Sequence, residues 1–488
     1  MLLIGPAMIN IDIIFLKKKI LVIGLGVTGI SVIRRMLDLG NDVIALDNNI
    51  SLDTEIICSS IGVNFGDGLD IVLAEEFDIG TEVLKDINLV ITSPGISSSN
   101  RLLVMAVEKG IPVWDEIELS WNLLDEVQRS NTIAVTGTNG KTTVVNLIGA
   151  ALSEAGMENM VCGNVGAPLL NTFDIDQHKR KAVSDDIIRV VEVSSFQLER
   201  TYSFKPSVAI LLNITSDHMD RHGSINEYTR MKMKMFDGQD GRDFAIINID
   251  DKVTASRSGR IFGKSRGPIL IKYSLDKGSG SDLWYEKNKI FYELPFSSGS
   301  IKISGTLLEG MHNISNSEAA VAAALIKGAK PGSIGKAIRE FKPIEHRMEY
   351  LGEIAGIRCI NDSKSTNPNS ITAALRDFAK EVTIIMGGLD KDMDFMSVLP
   401  SLESSVKNIV LIGQSAARMQ KLFSRFSGGF DIFTCSSLEE AVTKSFDITM
   451  AGEVLLFSPG CASMDMFKDY KDRGNRFKKA IMDPSHGS

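Results

Sequence analysis

The chain has 488 residues, too long for one ordinary hydrophobic core, so its length predicts two to four domains. Its 44% hydrophobic and 23% charged residues exclude collagen-like, largely disordered and lipid-buried classes. The formal net charge of -8 argues against a nucleic-acid partner, which needs clustered surplus Lys and Arg, but leaves room for a locally basic pocket that takes a small anion.

In chain order, Met1 to Phe15 is apolar, but Lys17, Lys18 and Lys19 follow the apolar run instead of preceding it, so it reads as an extension, with Met8 as an alternative start, and not as a secretion signal. No later stretch offers the roughly 20 apolar residues of a membrane helix, so no membrane insertion is expected. From Lys19 the runs ILVIGLG, VIALD, LVITSPG, IAVTG, VVEVSS, VAILLNIT and FAIINID alternate with helix-like stretches. Apolar runs without strict alternation suit parallel strands covered on both faces, which predicts an α/β protein. DEIELSWNLLDEVQRSN reads as a helix at a first boundary, Leu119 to Asn131, and Lys342 and Pro343 mark a second. Residues 261 to 304, rich in Gly, Ser and aromatics, read as an antiparallel excursion. VTIIMGG, NIVLIGQS and VLLFSPG then give strands to the last third. Three domains are expected: 1–119, Rossmann-like; 120–343, a phosphate-loop type ATPase domain with a mixed or parallel sheet; and 344–488, again Rossmann-like. Cys58, Cys162, Cys359, Cys435 and Cys461 show no C-x-x-C spacing and read as reduced structural thiols of a cytoplasmic protein.

Two motifs carry chemistry by themselves. Gly24, Gly26 and Gly29 follow a strand with G-x-G-x-x-G spacing, and Asp47 ends the next strand. That pattern suits any diphosphate and alone would suggest a nicotinamide oxidoreductase. IAVTGTNGKTT joins a strand, a glycine turn and a helix-starting Lys-Thr pair, so backbone N–H groups of Gly137, Thr138, Asn139 and Gly140 would face ATP phosphates. Lys141 would neutralise the terminal phosphates and Thr142, beside Thr143, would hold Mg²⁺. Val135 stands where the common G-x-x-x-x-G-K-[ST] pattern has its first glycine. A plain chain-reversing turn is the bland alternative.

T-G-T-N-G-K-T-T resembles the loop of the Mur ligases and the related folylpolyglutamate synthases. GNVGAP (163–168), EVSSFQLE (192–199), NITSDHMDRH (213–222), GMHNISN (310–316), EHRME (345–349), NDSKSTNP (361–368), GGLDKDMDF and FSPGCASMDMFKDYKDRGNRF follow in the family's order and span nearly the whole chain. GLGVTG, SPGI at 93–96 and the D-S-K-S-T-N run resemble the members that add D-glutamate to UDP-N-acetylmuramoyl-L-alanine, and folylpolyglutamate synthases lack the N-terminal nucleotide domain. The resemblance implies ATP, two Mg²⁺ ions, an acyl-phosphate intermediate with no covalent enzyme adduct, and a C-terminal domain that completes the site on closure. A monomer is expected. A non-catalytic nucleotide-binding regulator is a further alternative.

Individual residues divide between functional and bland readings. Glu192 ends an apolar strand, where a lone carboxylate is costly, so it is expected to meet a metal, or else Ser194 or Ser195. His218 lies with Asp217, Asp220, Arg221 and His222 in what is either a second Mg²⁺ site, near the reacting substrate, or a solvated charged loop. Lys232 and Lys234 read from sequence as exposed helical lysines, whereas the resemblance implies that Lys232 is a carbamylated metal-stabilising residue. By resemblance Asn164 is substrate-side, though Gly163 and Gly166 suit a plain turn; His312, Asn313 and Asn316 begin a helix, with Asn313 and Asn316 on the nucleotide or in a capping role. Thr28, Asp47, Ser93 and Gly95 would take the UDP-sugar. Arg347 and Asp362 would contact ATP or pair with each other. Lys364, Thr366, Lys391, Ser463 and Tyr470 would form the D-glutamate pocket. Leu389 stands where the family has an aspartate, the acid falling at Asp390, and Tyr470 replaces a Phe.

Overall fold

The computed structural model describes residues 17–483 apart from 51, 64–65, 75–79, 174–186, 216–218, 263–266, 309, 343–344, 376–377, 391–392 and 427–428. The apolar start expected to be an extension, Asp217 and His218, Pro343 of the expected second boundary, and Lys391 therefore lie outside the described residues. The chain forms two compact units, the second made of the chain from Glu340 onward together with short segments at 215–217 and 307–311.

The first unit opens with five parallel strands, β1 (Lys19–Ile23), β2 (Asp42–Asp47), β3 (Leu69–Leu73), β4 (Leu89–Thr92) and β5 (Val113–Trp114), in the order β3-β2-β1-β4-β5. Consecutive residues Ile20, Leu21 and Val22 are all buried, as expected of a strand covered on both faces. The helix Val27–Asp38 lays one stripe inward, Gly29, Val32, Ile33 and Met36, at the spacing of a helical face. The order of strands reverses direction between β1 and β4, which opens a crevice at their carboxyl ends.

Nine further strands follow: β6 (Thr132–Thr136), β7 (Asn159–Gly163), β8 (Ile188–Glu192), β9 (Val208–Leu211), β10 (Phe244–Asn248), β11 (Ile269–Ser274), β12 (Leu283–Glu286), β13 (Lys289–Leu294) and β14 (Ser297–Lys302), ordered β14-β13-β12-β11-β10-β9-β6-β8-β7. The antiparallel excursion is shorter than its composition suggested. Residues 252–262 are helical, β11 and β12 are still parallel, and only β12-β13-β14 run antiparallel. The reversal sits at Lys287 and Asn288, whose φ of 49° and 60° make the hairpin turn that matches strand twist.

The expected boundary helix is two helices, Glu116–Leu123 and Glu126–Ser130. They are broken where Asp125 accepts from Gln128 N and the Gln128 side chain accepts from Asp125 N, a reciprocal cap that starts a new helix. Ile117 and Trp121 pack in the core of the nine-stranded sheet, whereas Leu119 packs with the five-stranded one. The first helix thus joins both sheets into one unit.

The second unit holds β15 (Glu349–Ile354), β16 (Ile357–Asn361), β17 (Val382–Gly387), β18 (Val406–Ile412), β19 (Asp431–Thr434) and β20 (Val454–Phe457), ordered β15-β16-β20-β17-β18-β19, with only β15 antiparallel. Apolar clusters cover both of its faces. The three-sheet α/β architecture is the expected one. All five cysteines are free and buried. Among the described residues no helix is long and apolar enough to cross a membrane.

The buried Glu116 carboxyl accepts from Ser120 Oγ at 2.8 Å and Leu170 N at 2.6 Å, and burial pushes its pKa up to about 7 against those two bonds. A carboxyl raised on folding is most favourable below its unfolded pKa, and that contribution is lost as pH rises through the folded value. Glu116→Gln, which keeps an acceptor for both donors, should therefore gain on the wild type by up to about 3 kcal/mol between about pH 5 and about pH 8. Parallel urea melts of the two proteins would reject the assignment if their stability difference stayed constant with pH.

Candidate active site

Strand β6 delivers its last residue to Gly137 (φ 156°), and the loop closes at Gly140, left-handed at φ 85°, directly before the helix Lys141–Glu154. No side chain caps that helix, so its first N–H groups face the loop. The loop is held from outside. Asn213, just after β9, accepts from Asn139 N at 2.8 Å, donates to Asn139 O at 3.2 Å, and receives Thr138 N on its own carbonyl at 2.9 Å. Thr138 Oγ1 shares a 3.2 Å bond with the hydroxyl of the buried Tyr228. Asn316 packs so tightly on Gly140 that a Cβ there would fall 2.4 Å from Asn316 Oδ1.

Lys141 Nζ donates to Gly137 O at 2.7 Å and Thr138 O at 2.8 Å, folded over the loop as a cation held at its rim. Thr143 is half-buried on the same helical turn. Glu192 is 2% exposed, and its two oxygens accept from Thr142 Oγ1 at 2.8 Å and Asn164 Nδ2 at 2.9 Å. Ser194 and Ser195 are engaged elsewhere, Ser194 capping the helix Ser195–Glu199 and Ser195 bonding His222 Nε2 at 3.0 Å. The bland reading of Glu192 is thus replaced by one that ties it to the phosphate loop. The backbone at Gly163, φ 98°, passes so close to Glu192 O that a Cβ would fall 2.3 Å away. Gly163 therefore makes a required close approach.

Lys232 corrects the exposed-lysine reading. It is 1% exposed, donates to Gly137 O at 2.9 Å and lies 4.5 Å from the Tyr228 ring centre. Lys234 belongs to the following 3-10 turn and donates instead to Leu198 O and Glu199 O, while burial lowers its pKa to about 8. Of the two, only Lys232 has a bond to the loop. The solvated-loop reading also fails for Arg221 and His222. Arg221 pairs with Glu199 at 2.8 Å and reaches Gly95 O and Ile96 O, and His222 is buried against Phe196 and Tyr228.

At the crevice of the five-stranded sheet, Asp47 accepts from Leu25 N at 2.6 Å and Asn49 N at 2.9 Å, which holds the glycine turn. Ser93 donates to Gly24 O, and a Cβ on Gly29 would fall 1.8 Å from that same carbonyl. Thr28 stands half-buried in the first helical turn, with Gly95 exposed on the facing loop. The four residues assigned to one ligand thus lie at or just after the carboxyl ends of β1, β2 and β4.

On the helix Met311–Ile326, Asn313 and Asn316 lie inside the first turns, 3.4 Å apart, so neither is the cap. In the second unit Asp362 accepts from Met348 N and Ser458 Oγ, and Arg347 sits between two non-glycine left-handed residues, His346 (φ 64°) and Met348 (φ 44°). Such strain is retained only where surroundings over-determine it. Lys364 Nζ lies 3.9 Å from the Tyr470 ring centre, Ser463 is buried and Thr366 half-buried. Leu389 bonds Ala462 O through its N–H, and Asp390 pairs with Arg418. Sequence reasoning misses Asn213 and Tyr228, which hold the phosphate loop. The polar Asn213 at the end of an apolar run is the one available signal.

Three domain families match in chain order: the Mur ligase MurD-like N-terminal domain over residues 18–115, the Mur ligase middle domain over 135–324, and the Mur ligase glutamate ligase domain over 346–461. The chain belongs to the Mur ligase family. Solved structures with similar folds include a MurF ligase from Thermotoga maritima in complex with ADP (TM-score 0.55, 14% identity, 96% of each chain) and a UDP-N-acetylmuramate-alanine ligase from the same organism (TM-score 0.53, 18% identity, 94% and 98% covered). Within the family the chain resembles the UDP-N-acetylmuramoylalanine--D-glutamate ligase of Caldanaerobacter subterraneus subsp. tengcongensis, 36% identical over 96% of this chain and 98% of that one. The enzyme of the same name from Pelotomaculum thermopropionicum is also 36% identical, over 97% and 99%. These relatives lend no support to the nicotinamide reading of the first glycine turn.

Gly140→Ala should weaken ADP and ATP binding at least about tenfold, because the left-handed position costs an L-residue about 1–2 kcal/mol before the clash with Asn316 is added. Calorimetric titration showing wild-type affinity would reject this geometry of the loop.

Proposed function

We propose that this protein is an ATP-dependent amide-forming ligase that adds D-glutamate to UDP-N-acetylmuramoyl-L-alanine, releasing ADP and phosphate, in peptidoglycan precursor synthesis. The observation that carries this reading is the near full-length similarity to D-glutamate ligases, combined with the buried Thr142–Glu192–Asn164 triad beside the phosphate loop.

A carboxylate is a poor electrophile at neutral pH. Transfer of the γ-phosphoryl group to the substrate carboxylate gives an acyl phosphate, the amine of D-glutamate attacks its carbonyl carbon, and phosphate leaves. Positioning and charge neutralisation dominate phosphoryl transfer, so the protein supplies no nucleophile. Thr138 N and Asn139 N, expected on the phosphates, donate instead to Asn213, so Lys141 and the N–H groups at the start of the helix Lys141–Glu154 would hold the transferring phosphoryl group, with Asn313 and Asn316 on the nucleotide. Asn164, fixed by Glu192, orients the UDP-sugar substrate, whose nucleotide would lie against Thr28, Asp47, Ser93 and Gly95.

Mg²⁺ fits the donor set. Glu192 and Thr142 present oxygen atoms beside the loop, and among the described residues no three His, Cys, Asp or Glu converge into a closed cage. That suits an ion held by one or two carboxylates plus phosphate oxygens. When bound it would neutralise charge on the phosphates. A second ion near His218 belongs to the same proposal, as does carbamylation of Lys232, which would turn a buried cation into an acceptor. In the second unit Arg347 and Asp362 are assigned to ATP, and Lys364, Thr366, Lys391, Ser463 and Tyr470 to D-glutamate. Domain limits of 1–119, 120–343 and 344–488, a cytoplasmic location and a monomer complete the proposal.

Phosphate release with UDP-N-acetylmuramoyl-L-alanine and each candidate amino acid should be strong with D-glutamate alone; equal or greater release with another amino acid would replace the substrate assignment. Lys232→Ala should lose most activity, as a buried charged contact to the loop is removed. A wild-type-like rate for this variant, with no effect of added CO₂ on the native enzyme, would remove Lys232 from the site.

A further inference from the structure

The helix Tyr470–Ile481 begins in a sequence, KDYKDRGNRFKK, that looks like a solvated surface. Yet Arg473 in its first turns is 1% exposed. Its guanidinium reaches two separate chain segments. Nε donates to Ser363 Oγ at 3.1 Å, Nη2 to Ser363 O at 2.7 Å, and Nη1 to Cys461 O at 2.9 Å. Ser363 Oγ in turn donates to Tyr470 O at 2.8 Å. All of these acceptors are neutral oxygens; the carboxylates of Asp465 and Asp362 favour the charge from nearby without a hydrogen bond to it.

Burying a cation among neutral acceptors costs several kcal/mol, and a well-packed apolar residue would often serve stability as well. Burial lowers the Arg473 pKa to about 10, which still leaves it charged at neutral pH. The planar fork has a use that packing alone does not explain. Ser363 immediately precedes Lys364, Cys461 lies two residues before Ser463, and Tyr470 lies one turn before Arg473 itself. Lys364, Ser463 and Tyr470 are among the residues assigned above to the amino-acid pocket. Gly474, the next residue, acts elsewhere. A Cβ there would fall 2.2 Å from His346 Nδ1, so its bare backbone receives the strained segment that carries Arg347.

We propose that Arg473 is the positioning residue of the amino-acid pocket, fixing the spacing between the Ser363–Thr366 and Cys461–Ser463 segments. This rests on the D-glutamate reading of that pocket. Lysine at 473 keeps the charge but cannot bond three acceptors from one rigid plane. The Gly474–His346 contact is left intact, so nucleotide binding should be spared.

The test is steady-state kinetics of the full-length enzyme with its preferred amino acid, established first on the wild type. Arg473→Lys should raise KM for the amino acid about tenfold or more, leaving KM for ATP and for the UDP-linked substrate within about twofold. Ser363→Ala, which removes one acceptor and the link to Tyr470, should raise the same KM by a smaller factor of about three. Thermal melting identifies which variants are folded; if Arg473→Lys is not, Ser363→Ala carries the test. An unchanged amino-acid KM in a folded variant, or a uniform change in all three KM values, would overturn the proposal. A wild type that prefers another amino acid would refute the D-glutamate reading, and the same comparison made with that amino acid would still decide the role of Arg473.

Discussion

A buried carboxylate is the constraint on which the first unit turns. Glu192 ends β8, flanked by β6 and β7, where an ionised oxygen without partners would be expensive. The cost is offset by drawing in Thr142 from the phosphate-loop helix and Asn164 from the turn after β7. Three separate strand ends are thereby held to one another by two hydrogen bonds. The glycines follow from this crowding: Gly163 lets its backbone pass Glu192 O, and Gly140 lets Asn316 lie against the loop. The phosphate loop is thus shaped as much by its neighbours as by its own residues.

Much of this was legible in the sequence, for a physical reason. A strand-to-helix turn that exposes N–H groups needs glycines at fixed offsets, so T-G-T-N-G-K-T-T declares its geometry locally. The seven apolar runs of the first unit likewise became strands because residues buried on both faces need no alternation. Strands β3 and β7 were harder to see. LDIVL and NMVCG are short, mix polar with apolar residues and lie at or near a sheet edge. The antiparallel excursion was overextended because Gly and Ser density marks turns but does not give the direction of the strands between them.

Burial of charge was the least legible property. In EYTRMKMKMF the alternation of Lys and Met fits no single helical face, and the helix ends at Met233, so that Lys232 and Lys234 belong to different elements. One turns into the loop and the other onto the end of the helix Ser195–Glu199. Nothing in local periodicity distinguishes them. Arg473 is concealed in the same way, since charged residues surround it from Lys468 to Lys479 and its acceptors come from distant parts of the chain. Pattern reading weighs a residue against its sequence neighbours, whereas a buried cation is explained by backbone carbonyls that carry no side-chain signature.

The two units solve opposite electrostatic problems with the same device. In the first, the buried Glu192 carboxylate gathers donors, and the result ties the strand end to the phosphate-loop helix. In the second, the buried Arg473 guanidinium gathers backbone carbonyls and a hydroxyl, and the result ties two chain segments to the helix that carries it. The hydrogen bonds of Glu192 and Arg473 run to neutral groups, and those bonds hold the surrounding chain. A salt bridge would tie each charge to a single side chain, whereas hydrogen bonds to several neutral groups tie Glu192 to Thr142 and Asn164, and Arg473 to the Ser363 and Cys461 segments.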